Sequence, residues 1–269
     1  MAGSAKPLTL TRPVDLNLIA TVFFAAVLGA SALVRAAEAE PPQLDPPQPG
    51  ANWVSHTIGA EFVWIETLGV WVGKTELTNA AYRVLNPEHD SGQYQGHSLD
   101  GDRQPVVRVN LDDAIASGQR LTEGEADLLG GATYRVITVA EWTAVARCGE
   151  DRPYPWGDTF PPPSDAMGNY SDQTARETLG FRGIDGYDDG FAVTAPVDEV
   201  WENSWGLRGV GGNVRELAWR NRRDALLVGG SWFESGNIEL KINEFLHHQY
   251  TNRTHFTGIR LVLEPASPE

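Results

Sequence analysis

Tyr134-Arg135-Val136-Ile137-Thr138-Val139-Ala140-Glu141-Trp142 packs a strand signal and a helix start into nine residues. Thr133 to Ile137 is short and rich in the β-branched and aromatic residues that fit a pleated surface. Thr138-Val139-Ala140-Glu141 then has the spacing of a capping box, in which each end residue satisfies a free backbone N–H of the other. The helix opened there runs through Trp142, Val145 and Ala146 and is predicted to end at Cys148-Gly149.

The same signals recur upstream. Phe62-Val63-Trp64-Ile65 and Val70-Trp71-Val72-Gly73-Lys74 read as strands. Thr78 caps a short helix carrying Ala81, Tyr82 and Leu85, stopped by Asn86-Pro87. His89 to Gln104 reads as loop, Pro105 to Val109 as a strand, and Asn110 as the cap of a helix from Leu111 to Gln119. Downstream of Arg152 regular structure thins: Pro153-Tyr154-Pro155-Trp156-Gly157-Asp158 and Pro161-Pro162-Pro163 force turned or extended backbone. Loops run to about Ala195, followed by Gly-rich stretches from Trp205 to Gly212 and at Gly229-Gly230-Ser231-Trp232. Gly258 to Leu263 closes the chain as a strand. No 20- to 50-residue repeat is present, which disfavours solenoids and propellers. The expectation is one α+β domain over residues 52–265, low in regular structure, with a tail at 266–269. So much loop needs something to hold it, and bound cations are the usual device.

The totals agree. The chain has 269 residues, 41% of them apolar, with nine Trp, 28 Gly and 17 Pro. That is enough to bury a core and excludes a disordered chain. The formal charge of −15 repels phosphate backbones, and with no basic stripe nucleic acid is excluded as a partner. Cys148 is the single cysteine, so neither an intrachain disulfide nor an all-cysteine metal site exists. Lys6 and Arg12 precede an apolar stretch over residues 16–34, followed by Ala30-Ser31-Ala32 and Ala37-Glu38-Ala39. Residues 1–39 therefore read as a signal peptide or an N-terminal membrane anchor, with the body exported to the periplasm or another extracytoplasmic space. Residues 40–51, rich in Pro, form a semi-rigid linker.

The segment at Tyr134 to Trp142 resembles the "YRLPTEAEWE" signature of formylglycine-generating enzymes, or sulfatase-modifying factors. Further pieces follow in that family's order: Tyr154-Pro155-Trp156-Gly157-Asp158, Asp189-Gly190-Phe191, Ala195-Pro196-Val197, Trp205-Gly206-Leu207, Gly212-Asn213-Val214-Arg215-Glu216, Gly229-Gly230-Ser231-Trp232 and Gly258-Ile259-Arg260. Upstream, Lys74 to Tyr82 is similar to the family's "xEVTNxxY" helix start. The resemblance implies a compact, C-type-lectin-like single domain.

It also implies a chemistry that this chain lacks. The family's oxidases hold copper with two cysteines after the Gly-Gly-Ser-Trp segment, and the matching positions here are Glu234 and Glu239. Hard carboxylates do not replace thiolates for Cu(I), so copper and sulfatase-cysteine oxidation are not expected. Arg215 stands where the family has Trp in its "GNVWEW" segment. Glu234 and Glu239 with His247, His248 and His255 compose an oxygen/nitrogen metal set, against the plainer reading of exposed polar residues on a loop. Ser231 is a weak nucleophile candidate, without a G-x-S-x-G elbow or an oriented His–Asp pair. The iron motif of ergothioneine-type sulfoxide synthases is missing.

For calcium, the resemblance implies Asn169, Tyr170, Asp189 and Phe191 as ligands, through two side chains and two carbonyls, the hard oxygens Ca²⁺ prefers. A second family site maps to Gly212, Val214 and Glu216, but Gly209 replaces its Asn. Trp64, Trp71, Trp142 and Trp219 read as core. Asn169-Tyr170-Ser171 and Asn252-Arg253-Thr254 fit the glycosylation sequon. The combined expectation is an exported, calcium-stabilised binding or accessory protein for a protein, peptide or extracellular ligand. The alternative is a non-copper enzyme or maturation factor working through Glu234 and Glu239.

Overall fold

The computed structural model describes residues 45–165, 168–221, 224–247 and 252–267. The segment 1–39, its apolar stretch at 16–34, and His248 lie outside the described residues. Among the described residues no helix is long and apolar enough to cross a membrane.

A five-stranded sheet forms one side of the body. β1 (Trp53–Val54), β2 (Glu61–Ile65) and β3 (Val70–Gly73) follow in order, then β11 (Leu261–Glu264) and β6 (Thr133–Val136). The last strand therefore enters between two early ones, and every pairing is antiparallel. Helices α1 (Asn79–Leu85) and α2 (Leu111–Gly124) belong to this half. Thr78 caps α1 by accepting the Ala81 N–H. Asn110 and Asp113 form a capping box at the start of α2. Gly118 permits close approach of α2 to β6, because a Cβ there would sit 2.8 Å from the Tyr134 carbonyl oxygen.

Helix α3 (Val139–Arg147) leaves β6 through the capping box between Thr138 and Glu141. It buries Trp142, Val145 and Ala146 with Val72, Ile137, Val228 and Val262, between the first sheet and a second. That second sheet has the order β10 (Thr257–Gly258), β7 (Arg215–Asn221), β8 (Asp224–Val228) and β9 (Leu246–His247). Each large apolar side chain so buried contributes about 1.5–3 kcal/mol as an upper estimate. The remainder is largely loop, with a two-stranded hairpin of β4 (Gln93–Tyr94) and β5 (His97–Ser98), and helix α4 (Gln173–Leu179).

The structure departs from the sequence reading at several places. Pro105 to Val109 is not a strand: Val106 N–H bonds Leu77 O and Arg108 N–H bonds Thr254 O, with Arg108 at φ +57° breaking any ladder. Helix α2 continues past Gln119 because Leu121 is fully buried and the Thr122 hydroxyl accepts the Tyr134 N–H. Helix α4, capped by Asp172, stands where loop was expected, and the β7–β8 hairpin fills the stretch between the two Gly-rich segments, for which no element was read. The closing segment divides at Ile259-Arg260, leaving β10 parallel to β7 and β11 in the first sheet. Trp71 and Trp142 are core, but Trp64 and Trp219 are only partly buried against it.

Candidate functional site

Arg215, Ser231, Glu234 and Glu239 meet at the floor of a groove. Arg215 starts β7 with a side chain 1% exposed, and Glu234 lies on the loop after β8 with 10% exposure. Arg215 Nε donates to Glu234 Oε1 at 2.7 Å. Its Nη1 donates to Gly229 O, and Nη2 to Glu239 O at 3.4 Å. The fully buried Ser231 hydroxyl donates to Glu234 Oε2. Each oxygen of Glu234 thus accepts one hydrogen bond, one from Arg215 and one from Ser231. Above this floor, Phe181, Phe233 and Phe256 line a cavity of about 410 Å³ together with Arg182, Glu234 and Glu239. Phe233 is 40% exposed, stacked on Phe256 at 5.5 Å and edge-on to Phe181 at 4.9 Å.

Among the described members of the oxygen/nitrogen metal set, Glu234, Glu239, His247 and His255, no three are brought together. His247 lies exposed on β9, and His255 Nε2 faces Arg108 Nη2 at 3.1 Å. Among the described residues no group of three or more His, Cys, Asp or Glu side chains is placed to hold a metal.

Asn169, Tyr170 and Asp189 of the first calcium quartet are buried, and the Tyr170 N–H joins their loops by donating to Asp189. Asn169 is 1% exposed at φ +57°, and its Nδ2 donates to Val193 O and to Asn213 Oδ1, at 3.0 and 2.7 Å. That orients Asn169 Oδ1, which is buried with no hydrogen-bond partner. Asp189, 8% exposed, accepts the Tyr170 N–H at 2.9 Å and the Phe191 N–H at 3.2 Å. Burial first, and the neighbouring Asp172 carboxylate second, push the Asp189 carboxyl up to about 7. A buried amide oxygen without a donor and a buried carboxylate, on segments joined by the Tyr170–Asp189 bond, are hard oxygens of the kind calcium prefers. Burial of Asn169 also means that its sequon cannot carry a glycan in the folded protein, whereas Asn252 is exposed.

The second quartet is altered by a residue the sequence reading did not single out. Gly209 has φ +67°, and a Cβ there would lie 2.4 Å from both carboxylate oxygens of Glu76. Glu76 is 1% exposed, and neither of its oxygens has a hydrogen-bond partner. Burial pushes its carboxyl up to about 8 despite the nearby Arg260 guanidinium. Arg260 gives Glu216 Oε1 two hydrogen bonds, at 2.9 and 2.7 Å, leaving Glu216 Oε2 unpartnered. The glutamate from before α1 thus occupies the space that a side chain at 209 would need. The advance signal was its place as the Glu of the segment Lys74 to Tyr82, which resembles the family's "xEVTNxxY" helix start.

An irregular α+β body carrying acid-lined, loop-joining pockets beneath a groove defines the class. The sulfatase-modifying factor enzyme 1-like domain matches residues 29–265, and the chain belongs to that family. It is 35% identical over 118 residues to the formylglycine-generating enzyme of Thermomonospora curvata, an alignment covering 44% of this chain and about a third (33%) of that enzyme's length. Its fold is similar to PvdO of Pseudomonas aeruginosa (TM-score 0.57, 17% identity, 81% of this chain and 99% of that one). It is also similar to Treponema denticola variable protein 1 (TM-score 0.59, 17% identity, 81% and 100%) and to CarF (TM-score 0.53, 20% identity, 74% and 87%).

Proposed function

We propose that this chain is an exported, calcium-stabilised member of its family that lacks formylglycine-generating oxidase activity and serves as a binding or accessory protein. The observation that carries this reading is the Arg215–Glu234 ion pair. These are two of the positions at which the sequence departs from the family pattern, Trp to Arg and Cys to Glu, and they face each other at 2.7 Å in a nearly dry site. One departure supplies the charge that the other requires, so the floor is a rebuilt structural contact rather than a damaged metal site.

The ligand is a protein, peptide or extracellular molecule seated on the aromatic walls above that floor, with residues 16–34 acting as a removed signal or a retained tether. Asn169, Tyr170, Asp189 and Phe191 would hold the calcium, which joins two loops and offsets their ordering entropy. Incubation with a sulfatase-derived cysteine peptide, copper and oxygen tests the first half of the reading by mass spectrometry. Unchanged peptide is expected, and conversion of cysteine to aldehyde would overturn it. Intact mass of the protein from its native envelope separates signal from tether.

A further inference from the structure

A second, smaller concavity lies away from the groove, where Trp64, Ile65, Glu66, Thr67 and Trp205 enclose about 210 Å³. That is below the ~300 Å³ at which pockets begin to hold a drug-sized molecule, and it suits a single head group. The Trp64 indole and the Trp205 backbone are each positioned by hydrogen bonds. Trp64 Nε1 donates to Glu66 Oε2 at 2.6 Å, and the Trp64 ring packs on Trp71 at 4.6 Å. Trp205 sits in a tight loop built on the buried Asn203, whose Oδ1 accepts the N–H groups of Trp205 and Leu207 at 3.0 and 3.1 Å. Asn203 Nδ2 ties that loop to α3 through Val145 O at 3.0 Å. The site is therefore preorganised, and two partly exposed tryptophans share a hollow whose one charged wall is a carboxylate.

We propose that this hollow binds a methylated ammonium group. Tryptophan offers the strongest aromatic face for a cation, and Glu66 supplies the opposite charge. No lysine or arginine lines the cavity, and the chain's −15 charge favours cationic ligands overall. The choice of a methylated over a primary ammonium follows from the lining, in which two indoles and an isoleucine outnumber the polar side chains of Glu66 and Thr67. A primary ammonium keeps its three donors better satisfied in water than against such a surface. A methylated head presents its charge through C–H surface that indole and isoleucine can cover. A sugar would need several convergent hydrogen-bonding groups and gains nothing from the carboxylate's charge.

The test uses the full chain labelled on its tryptophan indoles with ¹⁵N. Choline is the probe, with 3,3-dimethylbutan-1-ol as its uncharged isostere and methyl glucoside as the sugar arm. Choline is expected to shift the Trp64 and Trp205 Nε1–H resonances saturably in the millimolar range, with the isostere binding at least about ten-fold weaker. Trp205→Ala should abolish the response, and Glu66→Gln should weaken it by about three- to ten-fold at low salt while leaving the thermal melt unchanged. Equal binding of the isostere, a preference for the glucoside, no response to choline at 0.1 M, or an unaffected Glu66→Gln variant would each overturn the proposal.

Discussion

Glu234→Ala is the perturbation that most directly probes the rebuilt groove floor. It removes the partner of a guanidinium that is 1% exposed and leaves that charge buried. Leaving one member of a buried pair uncompensated costs about 3–5 kcal/mol. Arg215 retains its bonds to Gly229 O and Glu239 O, which argues for the lower end of that range. The Ser231 hydroxyl, also fully buried, loses its acceptor and adds about 1 kcal/mol. The expected loss is therefore about 3–4 kcal/mol. At about 2–4 °C per kcal/mol for a domain of this size, Tm falls by roughly 6–15 °C. Calorimetry and urea unfolding of the wild type, Glu234→Ala, Arg215→Met and the double variant Arg215→Met/Glu234→Leu measure it. The double variant should recover to within about 1 kcal/mol of wild type, because packed apolar residues of similar volume can replace a buried pair. A single-variant loss below about 0.5 kcal/mol, with additive effects in the double variant, would refute the view that these two residues form one unit.

Chelation by EGTA should lower Tm in wild-type protein, and Asn169→Ala should remove most of the difference between chelated and calcium-loaded melts; an equal melt with and without EGTA in wild type would count against the first site. Gly209→Ala places a Cβ 2.4 Å from the Glu76 carboxylate at positive φ and should cost more than about 2 kcal/mol. The cost should shrink when Glu76 is also Ala, as urea unfolding of the four variants would show. Glu141 is raised by burial but lowered more by its bonds to Arg135 and Thr138, for a net depression. A carboxylate with a depressed folded pKa contributes stability above its unfolded value, about 4.3, and loses it as pH falls through the folded value. Glu141→Gln should therefore lower Tm near neutral pH and flatten the acid limb below about pH 4, measured by melts from pH 3 to 8.

The capping boxes, the strands at Phe62 to Ile65 and Val70 to Gly73, and helix α3 were legible in the sequence because each is set by residues within one turn or one pleat of each other. So was the chain's single cysteine, since a count needs no geometry. Helix α4 and the β7–β8 hairpin were not legible. Gln173 to Leu179 is polar and short, and what holds it is the Asp172 carboxylate, whose second oxygen also accepts the N–H groups of Asp189 and Gly190. Trp64 read as core because its neighbours in sequence are apolar, yet it is only partly buried and lines a hollow with Trp205, far along the chain.

The sequence by itself thus determined the family, the local starts and stops of its elements, and the single cysteine. Only the tertiary structure decided that Arg215 and Glu234 are partners, that Glu76 fills the space left at Gly209, and that Asn169 Oδ1 is left without a donor. Each of these depends on which chain segments far apart in sequence are pressed together without water. Desolvation, which gives a lone carboxylate or amide its cost and a matched pair its hold, is a property of that packing and not of any stretch of residues.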